Sequence, residues 1–282
     1  MYRILRKRHL NDLITWMEIE APLAAGSTKA GQFAILRLDE FGERFPLTIC
    51  GYDRAERTIT IVFQHAGKST KMLSLMEEGD YISDVVGPLG NPSKLDGLKC
   101  VALVGGGVGC ADTYPIALEL HESGAEVDMY AGFRNKDIVI LEDEMRAVST
   151  NLYITTDDGS YAEKGFITDK LKVVLESGRK YDRIITIGPA IMMKYVAETT
   201  KPFGIKTVAA LNSIMVDGTG MCGGCRVTVG GEIKFTCVNG PEFDAHLVDW
   251  DELLLRTGFY RDKEEEEAEH ICRLTGGVRS CH

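Results

Sequence analysis

The feature that most constrains this chain is Asp217-Gly-Thr-Gly-Met-Cys222-Gly-Gly-Cys225, followed by Cys237. Three cysteines and an aspartate fall within 21 residues, and glycines separate the first three of these polar side chains. Glycine accepts positive φ, so such a loop can turn several side chains toward one centre. Between Cys225 and Cys237 lies Arg226-Val-Thr-Val-Gly-Gly-Glu-Ile-Lys-Phe-Thr236, two alternating runs joined by Gly230-Gly231. That pattern predicts a tight β-hairpin, which returns Cys237 to the Cys222/Cys225 loop. Cys222, Cys225 and Cys237 are therefore expected to be metal ligands. Three thiolates leave a four-ligand site one short. Asp217 lies in the same loop, and Asp-Gly is an ordinary turn dipeptide. Zinc accepts the same donors and stays open as an alternative metal.

Eight cysteines with no apolar leader at the N-terminus suggest a cytoplasmic chain that uses thiols for metal or redox chemistry rather than for disulfides. Cys50, Cys100, Cys110 and Cys272 read as small buried hydrophobes, and Cys281 as a loose thiol near the terminus. A formal net charge of −10 argues against nucleic acid or an anionic membrane as partner. No apolar run is long enough for a membrane span. The acidic run Lys263-Glu-Glu-Glu-Glu267 reads as a solvated helix face.

With 282 residues there is room for more than one domain. Residues 1–96 read as an antiparallel β-barrel: residues 13–20, 32–38, 45–49, 58–63 and 81–86 are short, β-rich and bounded by turn residues, with one helix at 69–78. Residues 97–212 alternate strand and helix. Strands are expected at 99–104, 126–133, 151–156, 183–187 and 206–211, which describes a doubly wound α/β unit. Residues 213–282 carry the cysteine loop and C-terminal helices. Gly105-Gly106-Gly107-Val-Gly109 follows the first of those strands and opens a helix. Read alone it is a tight strand–helix turn, not a clean Gly-x-Gly-x-x-Gly. Gly188-Pro189 and Thr156-Asp-Asp-Gly159 end later strands at the same carboxyl edge, where open parallel sheets bind ligands. Gly67-Lys-Ser-Thr70 is no P-loop, because Val62 stands where the leading glycine is required.

Several of these stretches resemble the ferredoxin reductase superfamily. Phe45-Pro46-Leu47-Thr48 lies where members carry an Arg-Pro-x-Ser flavin motif, with Arg44 one residue early. The second flavin stretch is Val62-Phe63-Gln64-His-Ala-Gly67-Lys-Ser69-Thr70, whose glycine opens a helix that can present N–H groups to a pyrophosphate. Ser69 also reads as a plain helix cap, and 45–49 as a core strand. Barrel, nucleotide unit and cysteine loop follow the order of dihydroorotate dehydrogenase electron-transfer subunits, whose cluster pattern begins with a cysteine at the place of Asp217. The chain most resembles the small-subunit family of NADH-dependent reduced ferredoxin:NADP+ oxidoreductases. Glu43-Arg-Phe-Pro-Leu-Thr-Ile, Gly87-Pro-Leu-Gly, the Gly105–Gly109 turn, the Asp217–Cys225 loop and Cys237-Val-Asn-Gly-Pro-Glu-Phe-Asp-Ala-His246 carry the likeness.

That resemblance implies FAD in the barrel, with Phe45, Pro46, Leu47, Thr48, Val62, Phe63, Gln64, Gly67, Ser69 and Thr70 about it. It implies NAD(H) along Gly105, Gly106, Gly107, Gly109, Gly188 and Pro189, and a [2Fe–2S] cluster on Asp217, Cys222, Cys225 and Cys237. It further implies an oxidoreductase subunit in a cytoplasmic heterodimer. The larger partner would carry a second flavin and [4Fe–4S] clusters, and ferredoxin and NADP(H) would engage that partner during electron bifurcation. The alternatives are an electron-transfer subunit of a dihydroorotate or other flavin dehydrogenase, and a zinc-stabilised nucleotide-binding module that is not an enzyme. Hydride transfer between nicotinamide and flavin needs no acid–base side chain, so none is assigned as catalytic. Glu242, Phe243 and Asp244 follow the cysteine loop closely, as a surface loop or as part of the flavin wall.

Overall fold

The computed structural model describes residues 1–259. The acidic run at 263–267, Cys272 and Cys281 lie outside the described residues. The first unit is antiparallel. Its strands are β1 (Tyr2–Asn11), β2 (Ile14–Glu20), β3 (Phe33–Arg37), β4 (Phe45–Thr48), β5 (Gly51–Asp53), β6 (Thr58–Gln64), β7 (Tyr81–Ile82) and β8 (Asp84–Leu89). They pair in the orders β5-β6-β2-β1-β7 and β4-β3-β8. The chain passes directly from one sheet to the other at the β4/β5 and β7/β8 corners, so the two sheets enclose one core of Ile4, Met17, Ile19, Leu36, Ile59, Ile61 and Phe63. Helices α1 (Pro22–Ser27) and α2 (Lys68–Leu75) add Ala24, Ala25 and Leu73 to that core.

β1 was not among the expected strands. Its Arg3, Arg6, Lys7 and Arg8 hide the period-2 signal, and Ile4 is its only fully buried side chain. Backbone pairing to β2 and β7 holds it, and Arg6 and Lys7 meet Glu18 and Glu77. The helix expected at 69–78 ends at Leu75.

The second unit is the expected doubly wound sheet. β9 (Cys100–Gly106), β10 (Glu126–Phe133), β11 (Asn151–Thr156), β12 (Glu163–Lys164), β13 (Arg183–Ile187) and β14 (Thr207–Ala210) alternate with α3 (Gly109–Glu122), α4 (Glu142–Val148), α5 (Ile167–Glu176) and α6 (Ala190–Thr200). The spatial order is β12-β11-β10-β9-β13-β14, with a further strand, residues 242–244, beside β14. Val101, Ala102, Leu103 and Val104 of β9 are wholly buried because helices cover both faces, which is why that strand reads as an unbroken apolar run. The winding reverses beside β9, so the carboxyl ends of β9 and β13 form the crevice where such sheets take ligands.

The remaining segment builds β15 (Arg226–Val229), β16 (Glu232–Phe235), α7 (Thr236–Asn239), β17 (Glu242–Asp244) and α8 (Trp250–Thr257). The hairpin β15–β16 forms in the expected register, with Val229 opposite Glu232 and Gly230-Gly231 both at positive φ. Residues 242–244 are not a surface loop. They are the antiparallel seventh strand of the large sheet, with Phe243 opposite Ala209. No helix among the described residues is long and apolar enough to cross a membrane.

Candidate cofactor cleft and cluster site

A cleft of about 960 Å³ runs between the barrel and the carboxyl edge of the parallel sheet. That is ample for ligands of dinucleotide size. On the barrel side Pro46, Leu47, Thr48 and Gln64 line it; on the sheet side Gly106, Gly107, Gly109, Gly188 and Pro189 do. The remaining expected contacts divide. Phe45 packs on the barrel core, and Val62 and Phe63 are buried in core clusters, so what they offer a ligand is backbone. Gly67, Ser69 and Thr70 stand at the start of α2, beyond the walls of the cleft. Thr70 Oγ1 accepts from the Gly67 N–H at 3.1 Å, and the Ser69 hydroxyl donates to the Glu43 carboxylate.

The glycine turn is shaped from both sides. A Cβ on Gly109 would lie 2.3 Å from the Ile187 carbonyl oxygen, and one on Gly105 would lie 2.8 Å from Cys110 Cα. These two glycines let α3 close onto β9 and β13. Gly107, at φ +57, has nothing within 4 Å of where a Cβ would stand, so its free side faces the cleft. Asp112 in the first turn of α3 also opens on the cleft. The far end is walled by Arg134, Asp157, Phe166, Asp169 and Tyr195. Burial raises the Asp157 carboxyl above its usual range, while Arg134 pulls it back. Asp157 belongs to the Thr156–Gly159 stretch read from the sequence; Phe166, just before α5, and Tyr195, within α6, carry no local motif.

Against the barrel lies the cysteine loop. Gly218, Gly220 and Gly223 all have positive φ, and a Cβ on Gly218 would sit 2.6 Å from Leu89 Cδ1 and 3.0 Å from Ile35 Cγ1. The loop can press on β3 and β8 only because those side chains are missing. Cys225 and Cys237 are buried, with their Sγ atoms 3.2 Å apart and no disulfide between them. The hairpin closes this approach, since the Thr236 N–H and hydroxyl both donate to the Cys225 carbonyl at 3.0 Å. Burial and the neighbouring Cys225 push the Cys237 thiol up.

Cys222 is exposed and belongs to a second pair. The Asp217 carboxylate accepts the Thr219 N–H at 2.8 Å and the Cys222 N–H at 2.7 Å. These backbone donors hold the Asp217 carboxyl below its usual range. Two oxygens carry about four lone pairs, so two N–H bonds leave capacity for a metal. Among the described residues no three such side chains converge as a single ion would need. The four are instead set as two pairs, Asp217 with Cys222 and Cys225 with Cys237. That suits a two-iron cluster, whose irons each take two protein ligands.

Residues 212–249 match the family model described as the iron–sulfur cluster binding domain of dihydroorotate dehydrogenase B. A Thermotoga maritima protein described as a dihydroorotate dehydrogenase B (NAD(+)) electron transfer subunit homolog is 46% identical over 258 residues, 92% of this chain and 91% of that protein. The chain belongs to this family of electron-transfer subunits. Another relative, an uncharacterized Clostridium beijerinckii protein, is 53% identical over 272 residues, 94% of this chain and 92% of that one. The electron-transfer subunit fold is also that of a solved chain from work on flavin-based electron bifurcation in NADH-dependent reduced ferredoxin-NADP oxidoreductase. It is 43% identical, has a TM-score of 0.90, and the match covers 96% of this chain and 98% of that chain.

Within this family frame the cleft and the cysteine loop share a wall. Phe33 and Met215 line the cleft and also pack with Cys225 and Cys237 in one buried group.

Proposed function

We propose that this chain is the NAD(H)-facing subunit of an electron-bifurcating NADH-dependent ferredoxin:NADP+ oxidoreductase. FAD lies against Pro46, Leu47, Thr48 and Gln64. NAD(H) lies along Gly106, Gly107 and Gly109 with Gly188 and Pro189. A [2Fe–2S] cluster is held by Asp217, Cys222, Cys225 and Cys237. The larger subunit carries a second flavin and [4Fe–4S] clusters and engages ferredoxin and NADP(H).

The observation that carries this reading is the shared wall of Phe33 and Met215 between cleft and cysteine loop. When bound, a flavin exchanges hydride equivalents with nicotinamide and single electrons with an iron–sulfur cluster. The chain's own residues supply the frame. The glycines of the β9–α3 turn admit a ligand to the backbone. Thr48 offers a hydroxyl at the barrel wall. Phe33, Ile35 and Met215 keep water from the inner side of the cysteine loop. The donor set, three thiols and a carboxylate in two pairs, suits a two-iron cluster better than zinc, and visible absorption of the purified protein separates the two metals.

Asp217 favours the bifurcating complex, since a cysteine begins the cluster pattern of the dihydroorotate dehydrogenase subunits. The match of residues 212–249 to the dihydroorotate dehydrogenase B model supports a second reading, the electron-transfer subunit of such a dehydrogenase. Purification of the native complex, with subunit identity and flavin and iron counts, distinguishes them. A co-purifying partner with a second flavin and [4Fe–4S] clusters is expected; a dihydroorotate-oxidising partner without [4Fe–4S] clusters would overturn the first reading.

A further inference from the structure

One carboxyl group on the cleft wall has no part in the binding just described. Asp112 lies in the first turn of α3 and lines the cleft together with Thr48 and Gly107. Its Oδ1 accepts from the Cys50 thiol at 3.3 Å, and the Thr48 hydroxyl lies close enough to draw the same carboxyl's pKa down. The two donors come from the corner between β4 and β5 and the acceptor from α3. The contact therefore joins barrel to nucleotide unit across the wall of the cleft.

We propose that Asp112 is a positioning residue for the bound flavin: it takes the hydroxyl hydrogen of Thr48, so that Thr48 offers a lone pair to the cleft, and it holds a negative charge on the wall that the flavin would occupy. This rests on the reading that the flavin lies against Thr48. A threonine hydroxyl has one hydrogen and two lone pairs, so a hydroxyl committed to Asp112 can only accept from a ligand. Reduction adds electrons to the flavin ring, and a carboxylate at short range in a poorly screened site opposes that. Asp112 thus biases the bound flavin toward its oxidised state. Burial pushes the Asp112 carboxyl up to about 6, with the Cys50 and Thr48 donors drawing it back down. The titratable groups that act on it are the Cys50 thiol from the barrel corner and the Cys110 thiol from α3. Burial and Asp112 itself push both thiols upward, so they stay neutral and do not compensate its charge.

The test is Asp112→Asn in the flavin- and cluster-loaded protein, read as flavin occupancy and flavin midpoint potential against pH. Asparagine keeps an acceptor for Thr48 and removes the charge. The variant should keep its flavin and show a more positive midpoint than wild type above the titration of Asp112. The two midpoints should converge below it, where the wild-type carboxyl is neutral too. Cys50→Ala removes a donor that lowers the carboxyl pKa, so the wild-type titration should move to higher pH. An Asp112→Asn protein with bound flavin and the wild-type midpoint at every pH overturns the inference while leaving the flavin placement intact. A Thr48→Val protein with unchanged flavin affinity and spectrum would remove the placement, and the inference with it.

Discussion

The Nε of Arg44 donates to the carbonyl oxygen of Val216 at 2.8 Å, and its Nη2 reaches the Asp217 carbonyl at 3.3 Å. In sequence this arginine stands one residue ahead of the place where related reductases carry a flavin-phosphate arginine. In space it ties the end of the barrel's β3–β4 connection to the entry of the cysteine loop, 173 residues on. A displaced arginine thus serves the cluster loop.

Arg44→Ala should therefore loosen the cluster before it loosens the flavin. Hydrogen bonds from a charged donor contribute about 1.5–3 kcal/mol when buried. This guanidinium is partly solvated, so a value near the lower end is expected. Iron content and visible absorption after mild chelation should fall faster in the variant, with flavin occupancy unchanged. The reverse order, flavin lost and iron kept, would return Arg44 to phosphate binding.

The two hydroxyls assigned to flavin are not equivalent. Thr48 faces the cleft, whereas the Ser69 hydroxyl is committed to Glu43. The double variant Thr48→Ala with Ser69→Ala should lower flavin occupancy and leave iron content as it is. Of the single variants, Thr48→Ala should account for most of the loss. Fluorescence of flavin released on denaturation measures this. Full retention in the double variant would move the flavin away from both loops.

The far end of the cleft bears on nucleotide choice. A 2′-phosphate placed there would meet the carboxyls of Asp157 and Asp169, with Arg134 as the one cation among the residues that line this cleft. Like charges brought together on binding cost several kcal/mol when desolvated and less when solvated. Reduction of the bound flavin by NADH should outpace reduction by NADPH. Asp157→Asn should narrow the gap, by about tenfold for each 1.36 kcal/mol of repulsion removed. Stopped-flow reduction with each nucleotide decides it, and faster reduction by NADPH in the wild type would reverse the assignment.

How much of this was legible in the chain depends on whether a signal was local. Strands 126–133, 151–156 and 183–187 were readable to the residue because each is a short β-rich stretch bounded by turn or helix signals. The hairpin between Cys225 and Cys237 was readable from Gly230-Gly231. β17 was not. Its Glu-Phe-Asp has no strand signal, and it exists because the free edge of β14 accepts a partner. Asp128 is an acidic residue inside β10. It is buried and bonds to Arg179, Tyr181 and Asn151, all remote in sequence. Cys110 is a buried hydrophobe as composition suggests, and Cys50 is buried too but donates to Asp112. Cys100 is only half-buried, its thiol 3.3 Å from the Lys180 carbonyl. The cleft wall at Phe166 and Tyr195 needed the fold, since only packing brings the start of α5 and the middle of α6 to one cleft.

Asp217 is the residue on which the cluster assignment turns. Its carboxylate already accepts the Thr219 and Cys222 N–H groups, which are the bonds expected of a turn-forming aspartate. Those bonds also fix the carboxylate beside Cys222, with lone pairs to spare for a metal. The turn role and the ligand role thus share one geometry and separate only on substitution. A carboxylate oxygen is a harder ligand than a thiolate, and ligation helps set cluster potential. Asp217→Cys should still assemble a [2Fe–2S] centre, with a shifted potential and an altered EPR and visible spectrum. Asp217→Ala removes both the ligand and the turn acceptor and should give a labile cluster. Asp217→Asn keeps an acceptor for one of the two N–H groups but offers iron only a neutral amide. If it held native iron content, EPR signal and potential, Asp217 would be a turn residue, and the fourth ligand would lie elsewhere.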